Sequence, residues 1–193
     1  MRAWITLICL TCFSVFYSCR NEVTLQGEQE TGLNDTTDHT EVEVDTQQVA
    51  IALPQGANID TRDVDPDELI DFAKTLIGTT YKYGSIDPQQ GFDCSGFITY
   101  VFNHFQIAVP RSSVDFTQVG SEIPVRDAKP GDLILFTGTD STKRVVGHMG
   151  IIIDNSDSTR FIHSTSGKAF GVTVTPLNGY YQGRFVKTIR IFP

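Results

Sequence analysis

Beyond the first 19 residues the chain has a single cysteine, Cys94, out of four in all. With no second thiol to pair with, the body of the protein has no internal disulfide, and it must be held by an ordinary apolar core. A basic excess is missing too. Residues 20–65 carry eleven Asp and Glu against two Arg, whereas residues 66–193 balance twelve acids with twelve bases, so the formal charge of −8 belongs to the first third. A neutral body has nothing with which to neutralise phosphates, which argues against a nucleic-acid partner. There is also no internal repeat, no phosphate-cradling glycine loop, and no apolar run of the roughly 20 residues that a membrane-spanning helix needs.

What the N-terminus does have is a short basic start at Arg2, an apolar run from Ala3 to Tyr17, and the small residue Ser18 before Cys19. This is the pattern of an export signal. Ordinary cleavage wants small residues at the first and third positions before the cut, and Phe16 or Tyr17 spoils each nearby choice. A lipoprotein signal over residues 1–18, cut before Cys19 and leaving that cysteine lipidated, fits better, although Phe16 stands where such signals usually have Leu. Cys9 and Cys12 then leave with the signal. Residues 19–64 are rich in Glu, Thr, Gln and Asp without a sustained apolar period, and are expected to form an acidic flexible tether. Glu41-Val42-Glu43-Val44 alternates like a strand but has nothing to pair with, and His39 is given no role. About 45 flexible residues reach roughly 35–40 Å, so an exported domain anchored by lipid in the cell envelope is expected.

One ordinary domain is expected over residues 65–193. It opens with Asp65 as N-cap, Pro66 at the first helical position and Glu68 three residues after the cap. Leu69, Ile70, Ala73, Leu76 and Ile77 follow at helical spacing, with Gly78 as the close. A loop holding Tyr81, Tyr83, Gly84 and Gly91 delivers the chain to Cys94. A second helix from there to about Phe105 places Phe97, Ile98, Val101, Phe102 and Phe105 on one apolar stripe, leaving His104 on the surface. Ser112 or Ser113 is expected to cap a short helix ending near Val119. The period then changes to that of strands, over residues 132–136, 148–154, 160–165, 172–174 and 184–192. Helices first and strands after predict an α+β fold with an antiparallel sheet of five to six strands.

Three groups carry candidate chemistry. Cys94 begins a helix, where the positive end of the helix dipole favours a thiolate; the plainer alternative is a small buried hydrophobe. His148 and His163 sit in consecutive strands. A four-residue loop over 154–157 pairs residue 148 with 163, and any even change of loop length keeps the two imidazoles on one face. Facing imidazoles suit a base and its orienting partner. Two half-buried structural histidines, or a Cys-His-His zinc site, remain open on spacing alone.

The stretches Tyr81-x-x-Gly84, Phe92-Asp93-Cys94-Ser95-Gly96-Phe97, Val109-Pro110-Arg111-Ser112, Pro130-Gly131-Asp132-Leu133, Gly147-His148-Met149-Gly150-Ile151 and Phe161-Ile162-His163 resemble, in order, the successive signatures of the NlpC family of bacterial cell-wall cysteine peptidases. The resemblance covers the whole expected domain. It implies a circularly permuted papain-like fold, no metal or cofactor, and hydrolysis of amide bonds in peptidoglycan stem peptides or their cross-links. Carried across, Cys94 resembles the nucleophile, His148 the base and His163 the third member, and Tyr81 resembles the tyrosine that helps hold the oxyanion. Asp93 and Ser95 flank the nucleophile as candidate cleft residues, Asp93 serving equally well as a helix cap. Two departures bear on substrate. Ser85 stands where a second glycine is usual, and Arg111-Ser112-Ser113 stands where members that cut after a free N-terminal L-Ala-γ-D-Glu typically have Arg-Asp-Ser. The missing aspartate, with no room in the tether for a Src-homology-like wall-binding repeat, points to longer or cross-linked stems. A thiol amidase or acyltransferase on another substrate and a silent wall-binding module are the alternatives, and a monomer is expected.

Overall fold

The structure, a computed structural model, describes residues 58–193. The expected signal, Cys19, Glu41-Val42-Glu43-Val44 and the tether through residue 57 lie outside the described residues. Packing begins ahead of Asp65, because Ile59 and Thr61 are each only 6% exposed and Ile59 joins the main apolar cluster. Helix α1 spans Pro66–Thr75, with the Asp65 carboxylate accepting from the Asp67 N–H at 2.9 Å. Leu69, Ile70 and Ala73 form its buried face. Ile77, expected on that stripe, is 52% exposed, since the helix closes at Leu76 and the chain turns away before it. Gly78 follows at φ 91° and donates its N–H to the Val172 carbonyl. No helix among the described residues is long and apolar enough to cross a membrane.

Strands β1 (Ile86–Asp87) and β2 (Gly91–Phe92) form a small antiparallel ribbon that leads into helix α2, Cys94–His104. Phe97, Ile98, Val101 and Phe102 of α2 are wholly buried. His104 is exposed, its ring stacked on Phe72 at 3.7 Å between centroids. The helix expected after Ser112 or Ser113 is a single 3-10 turn, Asp115–Gln118. Its cap residue is Val114, which has no capping side chain, and Ser112 contributes its carbonyl instead of its hydroxyl.

Six strands make the main sheet: β3 (Ser121–Ile123), β4 (Leu133–Thr137), β5 (Val146–Asp154), β6 (Arg160–Thr165), β7 (Gly171–Pro176) and β8 (Phe185–Arg190), in spatial order β3-β8-β4-β5-β6-β7. All pairings are antiparallel. The expectation of an α+β fold with five to six strands is met. Neither β3 nor the short helix α3, Gly179–Arg184, was expected; α3 ends where the last strand was thought to begin. Strand β4 is buried on both faces. Leu133 and Leu135 meet α1 and α2 in a cluster with Met149, Ile151 and Ile162, while Ile134 and Phe136 join a second cluster with Ile152, Phe161 and Tyr181. This is why its sequence runs apolar without alternation.

Candidate active site

Cys94 is the first residue of α2, and two close backbone approaches fix where that helix starts. The Asp93 N–H donates to the Ser85 carbonyl at 3.1 Å, and a Cβ on Gly96 would lie 2.1 Å from the same oxygen. Only glycine lets the first helical turn press onto the loop there. Ser85 is not a positive-φ residue, whereas Gly84 is, at 74°, so serine in place of a second glycine leaves this turn unstrained. The Asp93 carboxylate caps the helix by accepting from the Gly96 N–H at 2.6 Å. It is also gripped by Arg111, at 2.6 and 3.0 Å to its two oxygens, and Arg111 reaches the Ser95 hydroxyl at 2.9 Å. Tyr81 is carried to the site by backbone pairing with Phe92, and its ring packs against Phe170.

The histidines arrive from β5 and β6. Their pairing differs from the expected register by two residues: Ile151 faces Ile162 and Ile152 faces Phe161, with an irregularity before the Asp154–Arg160 pair. An even shift keeps both rings on one face, but it makes them diagonal neighbours instead of direct partners. The space between them is opened by Gly150, where a Cβ would lie 2.7 Å from the Phe161 ring and 3.2 Å from the His163 Cβ. Across that gap His148 Nε2 and His163 Nδ1 are 2.8 Å apart, and His163 Nε2 is 2.9 Å from the Thr175 hydroxyl. Phe136, Phe161 and Tyr181 pack around the pair. The Ser164 hydroxyl donates to the Phe92 carbonyl at 2.8 Å, tying the histidine strand to the segment just before Cys94.

Cys94, His148 and Tyr81 share the wall of one cavity of about 1290 Å³. The Cys94 thiol sits 3.8 Å from the carbonyl of Gly147, next to His148. His163 is fully buried and does not reach the cavity. Thr175 does reach it. Asp93 and Ser95, candidate cleft residues, and Arg111, Ser112 and Ser113, candidate substrate-binding residues, do not line this cavity: Asp93, Ser95 and Arg111 close a network behind the helix start, and Ser112 is exposed beyond it. Sequence reasoning missed Thr175, Ser164 and Arg184. A threonine in a strand carries no signal of its own, and Arg184 was counted as the start of a strand.

Burial pushes the Cys94 thiol up to about 11, with the Asp93 charge adding to it, and outweighs the two backbone N–H groups that favour the thiolate. The helix start favours the thiolate, as expected, but burial outweighs it. Burial likewise lowers His163 to about 3 and takes His148 well below its ordinary range, with His163 and Arg184 lowering His148 further. Cysteine and imidazole thus line the cavity as neutral groups. Burial, then the neighbouring Cys94 and Asp93, raise the Tyr81 phenol, which keeps it a proton donor. Among the described residues no group of three or more His, Cys, Asp or Glu converges as a metal site. The short His148–His163 bond already occupies one nitrogen of each ring.

Residues 78–190 match the NlpC/P60 family. The chain is 34% identical over 135 residues to the gamma-DL-glutamyl hydrolase of Bacillus subtilis, covering 70% of this chain and 32% of that protein. It is 34% identical over 117 residues to the probable endopeptidase NlpC of Escherichia coli, covering 59% and 70%. The solved structure of an NlpC/P60 family protein from Bacillus cereus superposes with a TM-score of 0.61 at 29% identity, over 69% of this chain and 42% of that one. The chain spans about a third of the length of the Bacillus subtilis relatives it matches. With a match that runs through Cys94, His148 and His163 on a six-stranded antiparallel sheet of papain-like type, the chain belongs to the NlpC/P60 family.

Proposed function

We propose that the protein is a cysteine peptidase that hydrolyses amide bonds of peptidoglycan stem peptides or their cross-links in cell-wall remodelling. The observation that carries this is the relay His148–His163–Thr175 ending at the cavity wall that Cys94 shares. His148 uses Nε2 toward His163, which leaves Nδ1 to take the thiol proton. The sulfur attacks the scissile carbonyl carbon, and the negative charge moves to its oxygen, where the Tyr81 hydroxyl and the Cys94 backbone N–H donate. The protonated His148 returns the proton to the leaving amine as the C–N bond breaks, giving a thioester. Water, deprotonated by His148, then releases the acid and restores the thiol. His163 serves by orienting His148.

The wider setting belongs to the same proposal. Residues 1–18 act as a lipoprotein signal, Cys19 carries lipid, and the acidic tether holds the catalytic domain in the exported envelope space. Serine at position 112, where an aspartate would meet a free amine, favours longer or cross-linked stems over free L-Ala-γ-D-Glu peptides. Purified sacculi and the short peptide L-Ala-γ-D-Glu-diaminopimelate, digested separately and read by mass spectrometry, test both statements. Release from sacculi with the short peptide left largely intact is expected; preference for the short peptide removes the substrate assignment, and no release from either removes the peptidase assignment. Cys19→Ser is expected to move the protein from the membrane to the soluble fraction.

A further inference from the structure

The cavity beside Cys94 carries more positive charge than hydrolysis of a neutral amide calls for. Among the described residues its wall includes Arg184 and Lys168 and no Asp or Glu, although residues 66–193 as a whole balance acids and bases. Arg184 is the more telling of the two. It is 8% exposed, and among the described residues no carboxylate forms an ion pair with it. Its guanidinium is held by neutral groups, donating to the Thr137 carbonyl at 2.8 Å and the Tyr180 hydroxyl at 2.5 Å. It also lies 5.0 Å from the centroid of the Tyr180 ring and 6.0 Å from that of Tyr181.

Clamping α3 to β4 explains those contacts but leaves two things over. Among the described residues the Arg184 Nε is buried without a hydrogen-bond partner, and the positive charge has no counter-ion. A buried cation in that condition favours an anionic partner, and this one stands in the wall of the cavity that substrate must enter. Lys168 adds a second, exposed cation from the loop between β6 and β7, whose residues Ser166, Gly167 and Ala169 line the same cavity. Guanidinium suits a planar carboxylate, and a flexible ammonium at the rim suits its capture.

We propose that this part of the cavity is a carboxylate subsite, in which Arg184 and Lys168 bind a free carboxylate that the stem peptide carries close to the scissile amide. The assignment rests on the peptidase reading above and adds what selects the substrate. A γ-linked glutamate keeps its α-carboxylate, and a diamino acid keeps a carboxylate of its own, so two sources share the chemistry. An occupied subsite also offsets the Arg184 charge, which together with burial and His163 depresses the basicity of His148. Recognition of the anion thereby prepares the base.

The test uses the full chain and a synthetic cross-linked stem peptide containing γ-D-glutamyl-diaminopimelate, beside two copies, one amidated only at the glutamate α-carboxylate and one only at the diaminopimelate carboxylate. One of the two amidations is expected to lower kcat/KM by about ten- to a hundredfold, the worth of a charge-assisted contact. Arg184→Met is expected to erase that discrimination, and Lys168→Ala to narrow it several-fold; a merely structural role would slow all three peptides alike. Lys168 is exposed, so its variant keeps the test open should Arg184→Met fold poorly. Calorimetric titration of the same peptides into Cys94→Ala separates this claim from the peptidase claim. Tighter binding of the unamidated peptide without any turnover by the wild type upholds the subsite and removes the reaction. Equal binding or equal kcat/KM for all three peptides overturns the subsite.

Discussion

His148 Nε2 and His163 Nδ1 lie 2.8 Å apart, and this one bond fixes the protonation pattern of the whole relay. If His148 is to accept a thiol proton on Nδ1 it must be neutral with its own proton on Nε2, which it donates to His163 Nδ1. The His163 proton then sits on Nε2 and is donated to Thr175 Oγ1, 2.9 Å away. His148→Ala removes the proton carrier and is expected to lower kcat by roughly 10⁴-fold or more, and His163→Ala at least about tenfold less. Thr175→Val leaves a buried N–H unpaired and is expected to cost about tenfold in kcat with KM nearly unchanged, restored by Thr175→Ser. Steady-state kinetics on a single purified muropeptide give all four values.

The neutral state of the Cys94–His148 pair has a consequence for alkylation. With the thiol pushed up to about 11 and His148 lowered, little thiolate is present near neutrality. Inactivation by iodoacetamide is expected to accelerate steadily from about pH 7 to 10, following the thiolate fraction. A rate already flat from about pH 5 upward would mean a resident thiolate–imidazolium pair instead.

Stability should carry the mark of the buried histidines. The folded-state value for His163 is about 3 against 6.5 for the free side chain, so between those limits the unfolded chain binds more protons than the folded one. The contribution of His163 is therefore complete above 6.5 and is lost as the pH falls toward 3. His148, also lowered, acts in the same direction. Thermal melts of the wild type and His163→Asn across this range are expected to show a shallower fall of Tm for the variant, and parallel curves would contradict it.

Much of this site was legible in the sequence because the motifs are themselves packing constraints. Gly96 is demanded by the Ser85 carbonyl and Gly150 by the Phe161 ring and the Ile162 carbonyl, and Asp93 caps the helix that carries Cys94. The evenness of the strand period saved the histidine pair even though the register was two residues off. What escaped was set by contacts far apart in sequence. The Asp93–Arg111 grip, the Ser164–Phe92 bond and the Thr175 end of the relay are hydrogen bonds between elements, and nothing local announces them. Helix α3 was hidden by poor helix formers, since Gly179 and Gly183 both fall within its six residues and only Asn178, its N-cap, signals a start.

Gly150 gives the packing argument a direct test. An added methyl would meet the Phe161 ring at 2.7 Å, the Ile162 carbonyl at 2.9 Å and the His163 Cβ at 3.2 Å. Gly150→Ala is expected to destabilise the fold by about 1–3 kcal/mol and to lower kcat beyond what the stability loss explains, by displacing His163 from His148. Denaturant unfolding alongside kinetics at a temperature where the variant is folded separates the two effects.

The assignment of Cys94 as nucleophile is met most directly by the rate of muropeptide release from purified sacculi by Cys94→Ala, with its melting temperature measured in parallel. A fall of about 10⁴-fold or more at an unchanged melting temperature is expected, because the thiol contributes chemistry and little packing. Release at the wild-type rate by the folded variant would contradict it.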